Sequence, residues 1–391
     1  MKNFKEFDEV INRYGTNSCK WDECREACGN KDILQLSVAD MDFKSPKEIL
    51  NKMHKIVEHG IFGYTMFPES FYESIVNWYY KRHNWKLEKD WVLYSPRVGI
   101  GASLIIQNMT EKGDGIILQT PAYPTLTEVI VKNERKLIEN PLVLKNGKYK
   151  IDLSELEKQI DEKTKMFILC NPHNPTGRVF SLEELSEITK FCKKHNLIIL
   201  SDEIHSDLVF KPNKHIPIAS IPEAQEISIV CSSITKTFNL PGVITSNMII
   251  PNKEIREKVK KILDVAVIHN PNIFAAGITE VAYNECEYWL DDVLDYILEN
   301  KNYLKEYLEK YLPKLKLIDS EGTYLSWIDY RELGIDGKSL QKLFVDEAGV
   351  NVYMGEHFGD SGKGFIRVNL ATPKSIIEQF LTNVRKVLKD K

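Results

Sequence analysis

The chain has 391 residues, 43% of them hydrophobic and 28% charged, which excludes a wholly disordered or collagen-like polymer. Its 52 basic and 56 acidic residues leave a net charge of −4, so no broad basic field draws in nucleic acid or anionic lipid. No run of about 18 apolar residues occurs to span a membrane, and seven cysteines, an odd number, argue against a disulfide framework.

In chain order, the charged opening MKNFKEFDEV lacks the apolar run of a secretory signal, and the expected compartment is the cytoplasm. Cys19, Cys24 and Cys28 follow with C-x4-C-x3-C spacing. Common zinc sites use C-x2-C with a nearby His, so these three read as reduced thiols and no metal is expected. WVLYS (91–95), an apolar helix-like stretch at 99–109 and GIILQT (115–120) predict a strand, a helix and a strand. KMFILC (165–170) is another short apolar run, followed by the turn NPHNPTG. SLEELSEITKFCKKHN (181–196) repeats apolar residues at Leu182, Leu185, Ile188 and Phe191, and Ser181 with Glu184 fits a capping box. LIILSDEI (197–204) and ISIVCSS (227–233) are again short and apolar. Such runs, separated by an amphipathic helix, predict βαβ units around a buried parallel sheet. From about 281 the texture changes. Residues 283–316 read as one long amphipathic helix, with Leu290, Leu294, Ile297, Tyr303, Leu304, Tyr307 and Leu308 on one face. A strand (TYLSWIDY), a helix (SLQKLFVDEA), a strand (GFIRVNLA) and a closing helix (KSIIEQFLTNVRKVL) complete a smaller α+β unit.

Ligands of open parallel sheets bind just past the carboxyl ends of the strands. That rule gathers Asn171, Asp202, His205 and Lys236 in one crevice, with the small-residue turn RVGIGAS (97–103) opening a helix and Tyr123 close by. The set suits pyridoxal 5′-phosphate. Lys236 supplies an amine for a Schiff base, and Asp202 an anion opposite the ring nitrogen. The backbone of Val98–Ser103 offers N–H groups to a phosphate. Tyr123 offers a flat partner to the ring, and Asn171 a donor to its phenolic oxygen. Taken singly, an aspartate after a strand is an ordinary turn residue, and a lysine an ordinary solvated one. The case rests on order and spacing: Asn171, Asp202 after 31 residues, Lys236 after 34 more.

NPHNPTG (171–177), SDEIH (201–205) and SSITKTFNLPG (232–242) resemble the fold-type I aminotransferase superfamily. LCNPHNPTGRVFSLEEL, DEIHSDLVF, GTNSCKWD, VADMDFKSPKEI, GYT (63–65) and FIRVNLATP (365–373) are similar to its cystathionine β-lyase branch, the MalY/PatB type. The resemblance implies a large domain over 51–280, with a mostly parallel seven-stranded sheet between helices, and a small α+β domain from 1–50 and 281–391. It implies that Lys236 carries the cofactor and then moves protons, with Asp202 and Tyr123 at the ring. Asn171 and His205 would lie near the phenolic oxygen. Ser233, with the Val98 and Gly99 backbone, would bind phosphate, and Tyr64 would reach that phosphate from the partner of a homodimer. Arg367, with Asn171, would hold the substrate carboxylate through its planar fork. The implied reaction is α,β-elimination from a thioether of cysteine, giving a thiol, pyruvate and ammonia. A transaminase would use the same parts, and a regulatory binding protein on the same fold would need neither Lys236, Asp202 nor Arg367. Two positions depart from the branch: Arg97 stands where it has a Gly, and Ser37 where it commonly has a Trp.

Overall fold

The five apolar runs become strands β1 (Val92–Ser95), β2 (Gly115–Thr120), β4 (Thr164–Cys170), β5 (Ile198–Asp202) and β6 (Ser228–Ser232), joined by β3 (Lys136–Pro141) and β7 (Ser246–Ile249), which no apolar run announced. They form one sheet in the order β1–β7–β6–β5–β4–β2–β3. Neighbours from β6 to β3 are parallel, and β7 runs against both β1 and β6. The structure is a computed structural model and describes residues 4–29 and 33–389.

Both faces of the inner sheet are covered, so β2, β4, β5 and β6 are buried along nearly their whole length, whereas the edge strand β3 alternates. Alternate residues feed two different cores. Ile116, Leu118, Met166, Ile168, Ile229 and Cys231 pack on one face against α3 (Val98–Met109), α4 (Pro124–Val131) and α7 (Lys253–Val265). Ile117, Phe167, Leu169 and Val230 face the other core. There they meet α2 (Glu69–His83), α5 (Leu182–Lys194) and α8 (Ala275–Glu285). Gly101 lets α3 settle on the sheet, because a Cβ there would stand 2.9 Å from Ser95 Oγ and 3.3 Å from Met248 Sδ. The capping box of α5 is present as expected: Glu184 N–H donates to Ser181 Oγ, and Ser181 N–H to the Glu184 carboxylate.

The expectation of one helix over 283–316 needs correction. Chain direction changes at Cys286 (φ −107°, ψ 14°), so α8 ends at Glu285 and α9 runs Glu287–Tyr311. Leu312 leaves the helical region (φ −139°, ψ 55°) because it precedes Pro313. Beyond it, β8 (Lys316–Leu317), β9 (Leu325–Asp329), β10 (Tyr353–Met354) and β11 (Phe365–Asn369) form an antiparallel sheet in the order β8–β9–β11–β10. The expected helix at 339–348 is α10 (Gly337–Leu343) followed by a wider helical turn, Phe344–Ala348. The closing helix is Lys374–Leu388. No helix among the described residues is long and apolar enough to cross a membrane.

One N-terminal stretch positions the site. Leu34–Gln35 pairs in parallel with Val350–Asn351. The chain then crosses the end of β11 as a strap over 36–43. Asn369 Nδ2 donates to the carbonyls of Val38 and Asp40, both at 2.7 Å. Asn239 Nδ2 donates to those of Met41 and Phe43.

Candidate active site

Asp202 ends β5, level with Cys170 at the end of β4, and Asn171 N–H donates to the Asp202 carbonyl at 3.0 Å. Burial pushes the Asp202 carboxyl up to about 6, against the Ile204 N–H it accepts and the charge of Lys236. Lys236 sits on a single helical turn, α6 (Ile234–Thr237), directly after β6. Its ammonium donates to the Ala39 carbonyl of the strap at 2.5 Å. Burial draws it down to about 8; Asp40 opposes the shift and Arg367 adds to it. An amine so placed carries its proton loosely near neutral pH.

Asn171 is fully buried. Its Oδ1 accepts Phe180 N–H at 3.1 Å, while its Nδ2 has no partner among the described residues. His205 is buried edge-on to Tyr324, with ring centres 5.9 Å apart. Its Nδ1 is also unpartnered, and burial with the nearby Lys236 and Arg367 charges holds the ring neutral, at about 3.

Arg367, in the middle of β11, is 2% exposed. Its partners are neutral: Asn174 Oδ1 at 2.9 Å, the Ser37 carbonyl at 2.8 Å, and the faces of Tyr353 and Phe358. Its Nε has none, and burial lowers it to about 10. The asparagine on this guanidinium is Asn174, not Asn171. Ser37 is buried beneath it, with its hydroxyl 3.8 Å from Cys24 Sγ. Tyr123, 40% exposed at the start of α4, is within electrostatic reach of Arg367, Tyr324 and Tyr353.

Val98 and Gly99 open α3, where N–H groups have no acceptor within the helix, and no side chain caps them. Arg97 precedes them with its side chain exposed. Ser233 caps α6. Its hydroxyl accepts Thr235 N–H at 3.0 Å and donates to the Thr245 carbonyl at 2.6 Å, so it is engaged within the protein. Tyr64 stands apart from the group. It is fully exposed in a loop with Ile61, Phe62 and Met66. Cys19 is exposed, and Cys24 and Cys28 are half-buried. Among the described residues, no three His, Cys, Asp or Glu side chains are grouped as metal ligands would be.

Sequence reasoning missed Ala39, Asn174 and Tyr324, whose hydroxyl donates to the same Ala39 carbonyl at 3.0 Å. A usable signal was the asparagine just after Arg367 and the one shortly after Lys236, both of which grip the strap.

The family described as aminotransferase class I and II matches residues 31–384. The chain is 36% identical to cystathionine beta-lyase PatB of Bacillus subtilis (strain 168), over 98% of this chain and 99% of that protein. It is 30% identical to protein MalY of Escherichia coli (strain K12), over 96% of each. The structure superposes with a TM-score of 0.95 on cystalysin of Treponema denticola, which contains pyridoxal 5′-phosphate; the two are 35% identical over 98% of each. With strand ends, lysine turn and buried arginine arranged as described, the chain belongs to the aminotransferase class I and II family.

Proposed function

We propose that this protein is a pyridoxal 5′-phosphate-dependent C–S β-lyase. It cleaves S-substituted L-cysteines, such as cystathionine, consuming one water to give a thiol, pyruvate and ammonia. The observation that carries the reading is that three buried polar atoms close to Lys236 and Asp202, namely Asn171 Nδ2, His205 Nδ1 and Arg367 Nε, have no partner among the described residues. Such atoms are costly unless something bonds them. Beside them, burial loosens the proton of the Lys236 amine and tightens that of the Asp202 carboxyl.

The residues fit the cofactor. Lys236 offers the amine that attaches it, and Asp202 the anion opposite its ring nitrogen. Asn171 Nδ2 and the neutral His205 would serve its phenolic oxygen, and Tyr123 would flank its ring. The N–H groups of Val98 and Gly99 serve its phosphate, in the positive field of a helix start. Ser233 contributes chiefly by holding the turn that carries Lys236. When bound, the group supplies an electron sink that stabilises negative charge at Cα of the substrate.

The chain's own groups do the rest. A buried guanidinium with neutral partners lacks a counter-charge, so Arg367 takes the substrate carboxylate in bidentate fashion. Lys236, whose proton burial has loosened, lifts the proton from Cα. The Ala39 carbonyl orients the amine for that transfer. Asp202 holds its charge within the sheet end. The sulfur leaves as a thiolate, the best anion available at Cβ. Likeness to PatB along the whole chain supports elimination over transamination. A homodimer with Tyr64 crossing to the partner is supported by the apolar loop around it, and a cytoplasmic location by seven free thiols. Pairing of residues 34–35 with 350–351 supports the division into 51–280 and 1–50 with 281–391.

The test is a product assay on L-cystathionine, with and without a 2-oxo acid. Pyruvate and free thiol appear without the oxo acid. Turnover only in its presence would make the protein a transaminase. Lys236→Ala abolishes turnover, and activity surviving in that variant would remove Lys236 as the base.

A further inference from the structure

Behind the site runs a buried polar chain that the reaction as described leaves unused. Asp207 Oδ1 accepts Trp78 Nε1–H at 3.0 Å and meets His83 Nε2 at 3.0 Å, while Oδ2 accepts the Thr237 hydroxyl at 2.8 Å. Glu203 Oε2 meets His215 Nε2 at 2.8 Å, and Oε1 accepts Ser201 Oγ–H and Ile218 N–H, both at 2.9 Å. The two imidazoles face each other edge to face, with centres 5.4 Å apart. The His83 and Asp207 side chains are 4% and 3% exposed, and those of His215 and Glu203 are fully buried. Two carboxylates and two imidazoles therefore form one dry run.

Its ends fall at two telling places. Thr237 follows Lys236 on α6, and Glu203 follows Asp202 at the end of β5. A single helical turn does not hold itself together. α6 is fixed at its start by the Ser233 cap and at its end by the Thr237–Asp207 bond. The other partners of Asp207, Trp78 and His83, belong to α2, where Trp78 stacks on Tyr283 with ring centres 4.7 Å apart. His83 and the Arg82 guanidinium hold the Asp207 carboxyl below its ordinary range against the effect of burial. The acceptor facing Thr237 is therefore a carboxylate, the stronger kind.

We propose that Asp207 is a positioning residue for Lys236: through Thr237 it locks the turn that bears the amine onto α2, and His83, His215 and Glu203 tie that lock to the strand end that bears Asp202. The proposal rests on the reading of Lys236 as the base. A side chain displaced by a fraction of an ångström loses proton-transfer geometry long before it loses its fold.

Thr237→Val keeps the shape and removes the bond, Thr237→Ser restores it, and Asp207→Asn removes the charge. In the cofactor-loaded protein, three quantities are read: the pH midpoint of the cofactor absorbance, kcat and KM for an S-substituted cysteine, and the melting temperature. Thr237→Val lowers kcat about tenfold with KM within about twofold, and moves the absorbance midpoint. Thr237→Ser returns both to wild type, and Asp207→Asn shifts the midpoint as the valine does. A lower melting temperature in Thr237→Val with kcat and midpoint unchanged would mean packing alone, and would overturn the proposal. Should Asp207→Asn fail to fold, the threonine pair still decides. An inactive Lys236→Ala beside an unaffected Thr237→Val overturns only the positioning role; an active Lys236→Ala overturns the base itself.

Discussion

Lys236 is an ammonium in a place that does not favour charge, and that conflict is measurable without any chemistry. In the folded protein it titrates near 8, against a usual 10.5, chiefly because of burial. Below pH 8 both folded and unfolded chains carry the proton, and the folded one bears the full desolvation cost. Between 8 and 10.5 the unfolded chain binds more protons, so stability rises with pH across that window. Cofactor-free Lys236→Met is therefore more stable than wild type at pH 7, by up to about 3 kcal/mol. The gap closes as pH approaches 10.5. Urea unfolding at pH 7, 8, 9 and 10 reads it, and a gap that stays constant would show that the amine is not the buried charge. The positions of Lys236, Asp202 and Asn171 were legible in the sequence because each lies at or just past the end of a strand that reads as a strand. Ala39 was not. It meets Lys236 across 197 residues of chain, and a backbone carbonyl carries no side-chain signature.

At the scale of elements, local chemistry read well and boundaries set by tertiary packing did not. The start of α5 was visible because Ser181 and Glu184 satisfy each other within four residues. The break at Cys286 was invisible, because the apolar stripe continues through it into the shared core. The strap over 36–43 was invisible as structure because its bonds come from Asn239 and Asn369. The two capping partners also differ in what else they hold. Ser181 caps, and its hydroxyl otherwise reaches only the exposed Glu183 carboxylate. Both Glu184 oxygens also accept from Nη2 of the buried Arg178 guanidinium, at 2.8 and 2.9 Å, while Glu321 takes Nη1 at 2.6 Å. Ser181→Ala costs about 1 kcal/mol. Glu184→Ala costs about 2 to 3 kcal/mol, because it also takes one of two carboxylates from a buried guanidinium. Equilibrium unfolding of both variants checks the order. Equal losses would mean that Arg178 is held by Glu321 alone.

For the whole molecule, the sheet, its two cores and the C-terminal unit enclose Lys236, Asp202, Asn171 and Arg367 within one chain, and leave Tyr64 outside. A phenol that is 101% exposed, beside Ile61 at 68% and Met66 at 74%, is an apolar patch looking for cover. A second copy on a two-fold axis would cover it and receive the same loop in return. If Tyr64 serves the partner's phosphate, the defect of Tyr64→Ala belongs to the neighbouring site, not its own. Two crippled chains then complement each other. In a hybrid of Tyr64→Ala with Lys236→Ala, the Tyr64→Ala chain keeps its lysine and receives an intact tyrosine, while the other site lacks both. Unfolded together and refolded in equal amounts, the two variants yield hybrids in half of the dimers. Each hybrid has one good site of two, so about a quarter of wild-type turnover returns. Recovery well above the sum of the separate variants assigns Tyr64 to the partner's site. No recovery, with dimers confirmed by sedimentation, would confine Tyr64 to its own chain and leave the exposed loop as a simple contact surface.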